Sequence, residues 1–298
     1  MIFLIKVEYF SLLCSNSTLF FNLKLVTPFT FDAVQAITTG YSPFGRAALS
    51  VNVYFVDGLL IDTGQSKMRK AILNFVKDLS VQQICVTHHH EDHTGNLVQI
   101  KSQFDVPVYG SAKCEQLMKN PPPISLPQKI YWGNRPAFNI AALEKNELST
   151  PNYTFKIIDI PGHAEDMIAL YEASKGWLFS GDLYINSSIK YTLANESIAQ
   201  QIKSIKKILQ LDFDTLFCGH SFKAKNGKQK LKDKLQYLEW FYGQVCYWYY
   251  KQCSPKIILK KMKLIENRMI KVLSKGRLSQ LNMIKAVIRD EQKKLKQS

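Results

Sequence analysis

The sequence lacks the features that mark disulfide-stabilised and membrane-spanning proteins. Its six cysteines are spread over 298 residues and none are spaced as Cys-X-X-Cys, and the chain is far longer than a disulfide-dense scaffold. No stretch of 18 apolar residues is free of charged side chains, so we expect no transmembrane span. Unpaired thiols suit a reducing compartment, and this favours a cytoplasmic location.

Arginine is also scarce, and the net charge is concentrated at one end of the chain. Only six of the 39 basic residues are arginines, and the net charge is +15. Residues 222–298 hold 20 Lys/Arg and 5 Asp/Glu, whereas residues 1–221 hold 19 of each. A basic helical tail could hold an anionic substrate or a nucleic-acid backbone. Because arginine is the usual residue for bidentate phosphate recognition, we favour a solvated lysine face over a nucleic-acid partner.

Histidine is scarce as well, yet five of the six histidines are candidates for one metal site. With two aspartates they form a set of seven candidate ligands: His88, His90, Asp92, His93, His163, Asp182 and His220. Such a set suffices for two metal ions that share a bridging carboxylate, and it indicates hydrolysis by a metal-bound hydroxide. His89 lies between two ligand positions, so we expect it to point away from the site.

The candidate ligands follow segments of strand character. Residues 81–86, 153–160, 177–180 and 214–217 are predicted strands, and a candidate ligand follows each of them closely. Open α/β sheets bind ligands at the carboxyl ends of their strands. We therefore expect all seven side chains at one edge of a single core.

The rest of the chain is predicted to alternate strands and helices. Alternating apolar residues at 51–56 and a turn at Asp57-Gly58 predict a β-hairpin that continues into 59–61. The predicted helices span residues 68–79, 97–104 and 198–209.

A proline-rich segment at residues 119–136 interrupts this alternation. It carries Tyr131, Trp132 and Arg135. A loop of this length in a compact domain is often functional. The segment is therefore either a wall of the substrate pocket or a rigid connector with an aromatic side chain packed inward.

The C-terminal part of the chain is predicted to be helical. Leu231, Leu235 and Leu238 share one helical face, and Ser254-Pro255 is typical of a helix start. Aromatic residues are concentrated between residues 240 and 250. We expect them to pack this region against the core.

The order and spacing of the candidate ligands resemble the metallo-β-lactamase superfamily. The resemblance depends on His88-X-His90-X-Asp92-His93, on His163, Asp182 and His220, and on the segments 51–56, 60–64, 161–163 and 179–182. It is greatest to the glyoxalase II-type and related β-lactamase-like hydrolases, although Ile160 stands where the family often has a threonine. It covers roughly residues 28–222. It implies an α/β fold, a four-layer αββα sandwich with a C-terminal helical extension.

The resemblance also implies a role for each candidate ligand. His88, His90 and His163 would hold a first metal, Asp92, His93 and His220 a second, and Asp182 would bridge them. The cofactors would be two divalent metal ions, and the donor set suits Zn²⁺ but also tolerates Fe or Mn. Asp92 and Asp182 would be the catalytic carboxylates, with Asp92 orienting a bridging hydroxide. Asp62 is either a carboxylate that fixes a ligand imidazole from behind or a turn or helix N-cap residue.

We expect three regions in the chain. They are an N-terminal extension at residues 1–22, a metal-binding domain of metallo-β-lactamase type at 23–222, and a basic helical C-terminal region at 223–298. The apolar start carries Lys6 and Glu8 and lacks a clear cleavage site, so a signal peptide is the less favoured alternative.

The favoured function is hydrolysis of a small-molecule thioester or ester. A β-lactamase is disfavoured, because zinc β-lactamases usually lack a histidine at the position of His93 and an aspartate at that of Asp182. The glutathione-binding positions of glyoxalase II enzymes are not recognisable in the C-terminal region. The alternatives are a phosphodiesterase or endoribonuclease whose basic region binds nucleic acid, a lactonase, and a scaffold without activity. The sequence does not indicate the oligomeric state.

Overall fold

The computed structural model describes residues 24–43 and 49–296, so the expected extension at residues 1–22 lies outside the described residues. Two β-sheets pack face to face, and helices cover the outer face of each sheet. Three clusters of buried apolar side chains fill the three interfaces between these four layers. This is the αββα sandwich that the sequence predicts.

The strands of the first sheet are neighbours in the order of the chain. They are β1 (Lys24–Phe31), β2 (Val34–Tyr41), β3 (Val51–Val56), β4 (Leu59–Ile61), β5 (Gln83–Cys85), β6 (Val108–Gly110) and β7 (Ala141–Ala142). Strands β1 to β4 pair antiparallel, and β4 to β7 pair parallel. Between β3 and β4, Asp57 and Gly58 have φ angles of 50° and 87°. Positive angles at both positions are typical of a type I′ turn, which confirms the predicted hairpin.

The second sheet faces the first through aromatic side chains. Its strands are β8 (Glu147–Ser149), β9 (Thr154–Asp159), β10 (Ile168–Glu172), β11 (Trp177–Phe179), β12 (Thr215–Phe217) and β13 (Phe222–Lys223). Neighbouring strands are antiparallel except β11 and β12. The rings of Phe179 and Phe217 stack at 4.4 Å, and Tyr54 of β3 meets both edge-on. Such pairs contribute about 0.5–1.5 kcal/mol each beyond their buried area, so they help to hold the sheets together.

The helices have the amphipathic faces that their spacing predicts. They are α1 (Arg69–Val76), α2 (Glu91–Thr94), α3 (Leu97–Phe104), α4 (Ala112–Lys119), α5 (Leu126–Tyr131), α6 (Ile198–Ile208), α7 (Gly227–Tyr250), α8 (Pro255–Lys261), α9 (Arg268–Leu273) and α10 (Gln280–Leu295). Ile72 and Val76 of α1 and Leu97 of α3 are buried against the first sheet. Residues 66–68 form a 3-10 turn, so α1 begins later than predicted. Within the described ranges, no helix combines the length and apolar character that a membrane crossing requires.

The C-terminal helices pack on the outer face of the second sheet. Leu231 and Leu238 of α7, Ile258 of α8 and Ile284 of α10 are fully buried in one cluster with Ile205 of α6. Ser254 precedes α8, and Pro255 is its first residue. The predicted helical character of this region is therefore confirmed.

The aromatic residues of α7 divide between two faces of the helix. Phe241 is buried in the cluster, whereas Trp240, Tyr247 and Tyr250 are 50–54% exposed. Only one face of a helix can reach a core on one side of it. The expectation that the whole aromatic cluster packs inward is therefore wrong for these three residues.

Candidate metal centre

Loops at one edge of the sandwich bring the candidate ligands together. His88, His90, Asp92 and His93 lie on the loop after β5 and on α2, whereas His163, Asp182 and His220 follow β9, β11 and β12. Strand β5 belongs to the first sheet and the other three strands belong to the second. The site therefore spans the seam between the sheets. All seven side chains fall into two groups, and within each group the donor atoms lie within 4.8 Å of one another.

The first group consists of three imidazoles. His88 Nε2 and His163 Nε2 lie 3.0 Å and 3.1 Å from His90 Nδ1. Nitrogens that share one tetrahedral metal ion lie about 3.4 Å apart, given metal–nitrogen bonds of about 2.0–2.1 Å. The three nitrogens therefore converge as the ligands of one ion would, with His90 presenting Nδ1 rather than Nε2.

The second group consists of two imidazoles and two carboxylates. His220 Nε2 lies 3.5 Å from Asp92 Oδ2 and 3.0 Å from Asp182 Oδ2. His93 Nε2 lies 3.7 Å from Asp92 Oδ2 and 3.3 Å from Asp182 Oδ1. Asp182 also faces the first group, with Oδ2 3.4 Å from His163 Nε2. The Asp182 carboxylate therefore lies between the two groups.

Two buried polar atoms at the centre are placed where a cation could bind both. Among the described residues, His93 Nε2 and Asp182 Oδ1 have no hydrogen-bond partner, although they face one another. Leaving a buried polar atom unpaired costs about 1–3 kcal/mol, and a metal ion would satisfy both. Gly219 keeps this space open, because a Cβ there would collide with Asp182 Oδ1 and the His93 ring. The residues present therefore fit a divalent metal.

Asp62 lies behind two of the candidate ligands. Its Oδ2 lies 2.8 Å from His93 Nδ1 and accepts a hydrogen bond from Thr87 Oγ1 at 2.9 Å. Thr87 Oγ1 in turn lies 3.0 Å from His88 Nδ1. A partner on the far ring nitrogen fixes the tautomer and orientation of a ligating imidazole. Of the two interpretations of Asp62, these contacts support the carboxylate behind an imidazole.

Two further histidines have partners on their far nitrogens. His220 Nδ1 lies 2.7 Å from Ser50 O, and His163 Nδ1 lies 3.4 Å from Glu196 Oε2. Sequence reasoning missed both partners. Glu196 is far from His163 along the chain, and no local pattern connects the two residues.

The imidazoles of the site differ in their electrostatics. In the first, burial and then the neighbouring imidazoles lower the pKa of His88 and of His90 well below the ordinary value. In the second, burial opposes a charged ring, but the Asp182 carboxylate outweighs it and raises the pKa of His220 to about 9. A metal binds the neutral imidazole. His88 and His90 are therefore in the binding form at neutral pH. Burial also opposes a charged His163 ring, but the carboxylates of Glu196 and Asp182 outweigh it and raise the pKa of His163. Metal binding at His163, as at His220, would therefore compete with a proton.

His89 faces away from the donor atoms and belongs to neither group. Its backbone N donates to Asp166 Oδ2 at 2.7 Å, and its Nδ1 lies 2.8 Å from Asp166 Oδ1. Arg135 donates to His89 O and to Pro122 O. The buried side chain of Arg135, which belongs to the proline-rich segment, thus connects that segment to the loop after β5.

The proline-rich segment borders the site. The centroid of the Trp132 ring lies 6.1 Å from that of the His220 ring. Lys67 N donates to Trp132 O at 3.3 Å, and Asn134 N donates to Ser66 Oγ at 2.9 Å, so the backbone around Trp132 is fixed on both sides. Of the two interpretations of this segment, the position of Trp132 supports a wall of the site.

Similarity to curated sequences covers the part of the chain that carries the ligands. The profile of the Metallo-beta-lactamase superfamily matches residues 46–220. A hydroxyacylglutathione hydrolase from Hamiltonella defensa is 31% identical over 172 residues, which are 57% of this chain and 60% of that protein. Another from Nitrosomonas eutropha is 30% identical over 171 residues, which are 56% of this chain and 58% of that protein. The chain thus spans less than two thirds of the length of these relatives.

Similarity to solved structures extends further but at lower identity. A metallo-beta-lactamase family protein from Thermus thermophilus has a TM-score of 0.59 at 18% identity, with 72% of this chain and 82% of that chain covered. At this level of identity the likeness concerns the fold alone.

Proposed function

The chain belongs to the metallo-beta-lactamase superfamily, and we propose that it is a metallo-hydrolase whose two metal ions share the carboxylate of Asp182. The observation that carries the proposal is the position of this carboxylate between the two groups. One oxygen lies 3.3 Å from His93 Nε2 and the other 3.4 Å from His163 Nε2. A bridging ligand requires this arrangement.

The other candidate ligands divide between the two ions. In this proposal His88, His90 and His163 hold one ion, and Asp92, His93 and His220 hold the other. Five imidazoles and two carboxylates suit Zn²⁺, and Fe or Mn accept the same donors. Ions of this kind acidify a bound water and polarise the carbonyl group of a substrate.

The protein's own groups would set the geometry of the reaction. Asp92 Oδ2 lies within 3.7 Å of the Nε2 atoms of His93 and His220, so its carboxylate can orient the attacking water and accept its proton. Asp62 holds the His93 ring from behind. The Trp132 ring beside His220 gives the substrate an apolar surface and limits the access of bulk water.

We propose a small thioester or ester as the substrate. The two relatives support a thioester, because a hydroxyacyl group in hydroxyacylglutathione is joined to its thiol by a thioester bond. At most 60% of either relative is matched, so the proposal does not extend to glutathione as the thiol. The ring of Trp132 favours acyl groups with an apolar part.

A substrate panel tests this function. The protein is loaded with Zn²⁺, Mn²⁺ or Fe²⁺ and assayed against acyl thioesters, carboxylic esters, lactones and RNA, with Asp182→Asn as the matched control. We expect hydrolysis of thioesters or esters that chelation abolishes and added metal restores, and little activity in the variant. Cleavage of RNA in preference to every acyl substrate would contradict the proposed substrate class. Absence of any metal-dependent hydrolysis would contradict the proposed activity.

A further inference from the structure

Residues 183–197, which we call the connecting segment, join Asp182 to α6. The segment ends against the turn that carries His163, since Ser197 N donates to Gly162 O at 2.9 Å. A Cβ on Gly162 would collide with the backbone and side chain of Gln201, which shows how closely the start of α6 packs on this turn. The connecting segment therefore begins at one candidate ligand and ends beside another.

Glu196 is the residue of this segment that reaches the site. Its Oε2 lies 3.4 Å from His163 Nδ1, and the residue is 7% exposed. Leu193 N donates to its Oε1 at 2.8 Å, and Gln201 Nε2 donates to its Oε2 at 2.9 Å. These two bonds fix the carboxylate in the orientation that faces the imidazole.

Side chains of α10 hold the end of the connecting segment. Arg289 donates to Ala194 O at 2.6 Å and also to Glu196 O. Asp290 accepts hydrogen bonds from Ser197 Oγ and from Ala199 N, each at 3.0 Å. The backbone on both sides of the Glu196 carboxylate is therefore bonded to the C-terminal region.

Side chains of α7 hold the rest of the segment. Lys234 is 2% exposed, and its Nζ donates to Leu183 O at 2.6 Å, directly after Asp182. Tyr237 donates from its hydroxyl to Ile189 O at 2.7 Å. A buried ammonium group is costly unless it is bonded, so the position of Lys234 indicates a specific attachment rather than general packing.

We propose that Glu196 is a positioning residue for the first group of donors and that Arg289 acts through it. A carboxylate on the far ring nitrogen orients a ligating imidazole and raises its basicity. Glu196 holds His163 with Nε2 toward His90 Nδ1, at 3.1 Å. The C-terminal helices thereby take part in forming the site. This inference rests on the proposed function only in treating the first group as a metal site.

The variant Glu196→Gln tests the role of the carboxylate. Full-length protein is freed of metal and titrated with Co²⁺, followed by visible absorption and by competition with a chromophoric chelator. Loss of such a partner weakens metal binding about 10–100-fold. We expect this loss of affinity for one of the two Co²⁺ equivalents and no change in the affinity for the other. Glu172→Gln is the matched control, because Glu172 is similarly buried but bonds Ser174 Oγ and Lys175 N, and we expect it to change neither equivalent.

The variant Arg289→Met tests whether the C-terminal region acts through Glu196. In a double-mutant cycle, residues that act as one unit give non-additive losses. We expect Arg289→Met to weaken the same equivalent, and the Glu196→Gln/Arg289→Met pair to lose no more affinity than Glu196→Gln alone. Arg277→Met is the control, because Arg277 lies in the same region but donates to Gln128 Oε1. Thermal unfolding checks that each variant is folded. If Arg289→Met does not fold, the titration of Glu196→Gln decides.

Three results would overturn the inference. They are an unchanged titration of Glu196→Gln, equal weakening of both equivalents, and additive losses in the pair. Because the titration needs no substrate, it distinguishes failure of this inference from failure of the proposed function. Unmodified protein that binds no Co²⁺ contradicts both proposals, whereas two normal equivalents in both the unmodified protein and Glu196→Gln contradict this inference alone.

Discussion

At the scale of single residues, groups behind the candidate ligands determine which ring nitrogen faces the centre. Asp62, Thr87 and Glu196 each lie at the Nδ1 atom of one histidine, and Ser50 O lies at that of a fourth. His90 differs, since its own Nδ1 converges with the other donors. The orientation of the rings therefore depends on contacts from several separate segments of the chain.

Asp62→Asn tests the support of the second group. The amide has the size of the carboxylate but presents an NH₂ group in place of one oxygen. It therefore cannot accept from Thr87 N at one end and from His93 Nδ1 and Thr87 Oγ1 at the other, as the carboxylate does. We expect metal binding at the second group to weaken about 10–100-fold, measured by chelator competition. Asp57→Asn is the control. Asp57 lies in the β3–β4 hairpin and accepts a hydrogen bond from Asn152 N at 2.6 Å, and among the described side chains it contacts none of the candidate ligands. Equal losses of metal in the two variants would contradict the role given to Asp62.

His89→Ala and His90→Ala separate two kinds of histidine in the motif. We expect His90→Ala to lose the ion of the first group, because His90 Nδ1 lies close to both other nitrogens of that group. His89→Ala should retain its metal but lose about 1–3 kcal/mol of stability, because the buried Asp166 carboxylate loses a partner. Elemental analysis and thermal unfolding measure the two effects. If both variants were depleted of metal to the same degree, the motif would have been placed in the wrong register.

The candidate ligands could be predicted from the sequence because their pattern is local and chemically distinctive. Four of them fall within six residues, His88 to His93, and the spacing alone separates His89 from its neighbours. Their supporting groups could not be predicted in the same way. Every residue has a backbone carbonyl like that of Ser50, and Glu196 approaches His163 only through the path of the connecting segment.

At the scale of secondary-structure elements, the strands predicted at 51–56 and 59–61 have those bounds in the structure. The four strands predicted before the candidate ligands also exist but are shorter than the segments that indicated them. Strand β5 covers Gln83–Cys85 rather than 81–86, and β12 begins at Thr215 rather than at 214. Apolar runs report burial, whereas strand ends depend on which neighbours pair. The backbone N of Thr87 shows the difference, because it donates to the Asp62 side chain at 2.7 Å instead of to another strand. The sequence also did not indicate that β5 and β9 belong to different sheets.

The segment that carries Trp132 predicts a preference among substrates. Trp132→Ala removes the apolar surface beside His220, so we expect KM for thioesters or esters with large apolar acyl groups to rise roughly tenfold, equivalent to about 1.4 kcal/mol. The values for acetyl substrates should change little. Trp240→Ala is the matched control, because Trp240 is 51% exposed on α7. Steady-state kinetics with a series of acyl lengths provides the measurement, and equal effects on short and long acyl groups would count against a wall at Trp132.

At the scale of the whole molecule, the basic C-terminal region is built into the sandwich. Deleting residues 254–298 removes Ile258, Met283, Ile284 and Val287, which are all buried. Each large apolar side chain contributes about 1.5–3 kcal/mol on burial, against a total stability of about 5–15 kcal/mol for a native protein. We therefore expect the shortened chain to unfold or aggregate, as judged by circular dichroism. Cooperative unfolding at the temperature of the full-length protein would contradict this expectation.

Replacing exposed lysines provides the control that keeps the fold. Lys256, Lys260 and Lys293 are exposed, and changing all three to glutamine should leave metal content and hydrolysis unchanged. Binding of single-stranded RNA is measured as a function of salt, where each phosphate contact contributes a slope of about −0.7. For a solvated lysine face we expect weak binding at physiological salt. Tight binding that weakens steeply with salt and is reduced in the variant would instead favour the nuclease alternative.

The central claim is that the chain holds two metal ions at the seam between its two sheets. Metal analysis of the full-length protein tests it most directly, after loading and removal of loosely bound metal by gel filtration. We predict close to two ions per chain, in keeping with the two groups of donors, and a joint loss of metal and hydrolytic activity in Asp182→Ala. No more than trace metal in the loaded protein, or two ions retained by Asp182→Ala, would contradict the account.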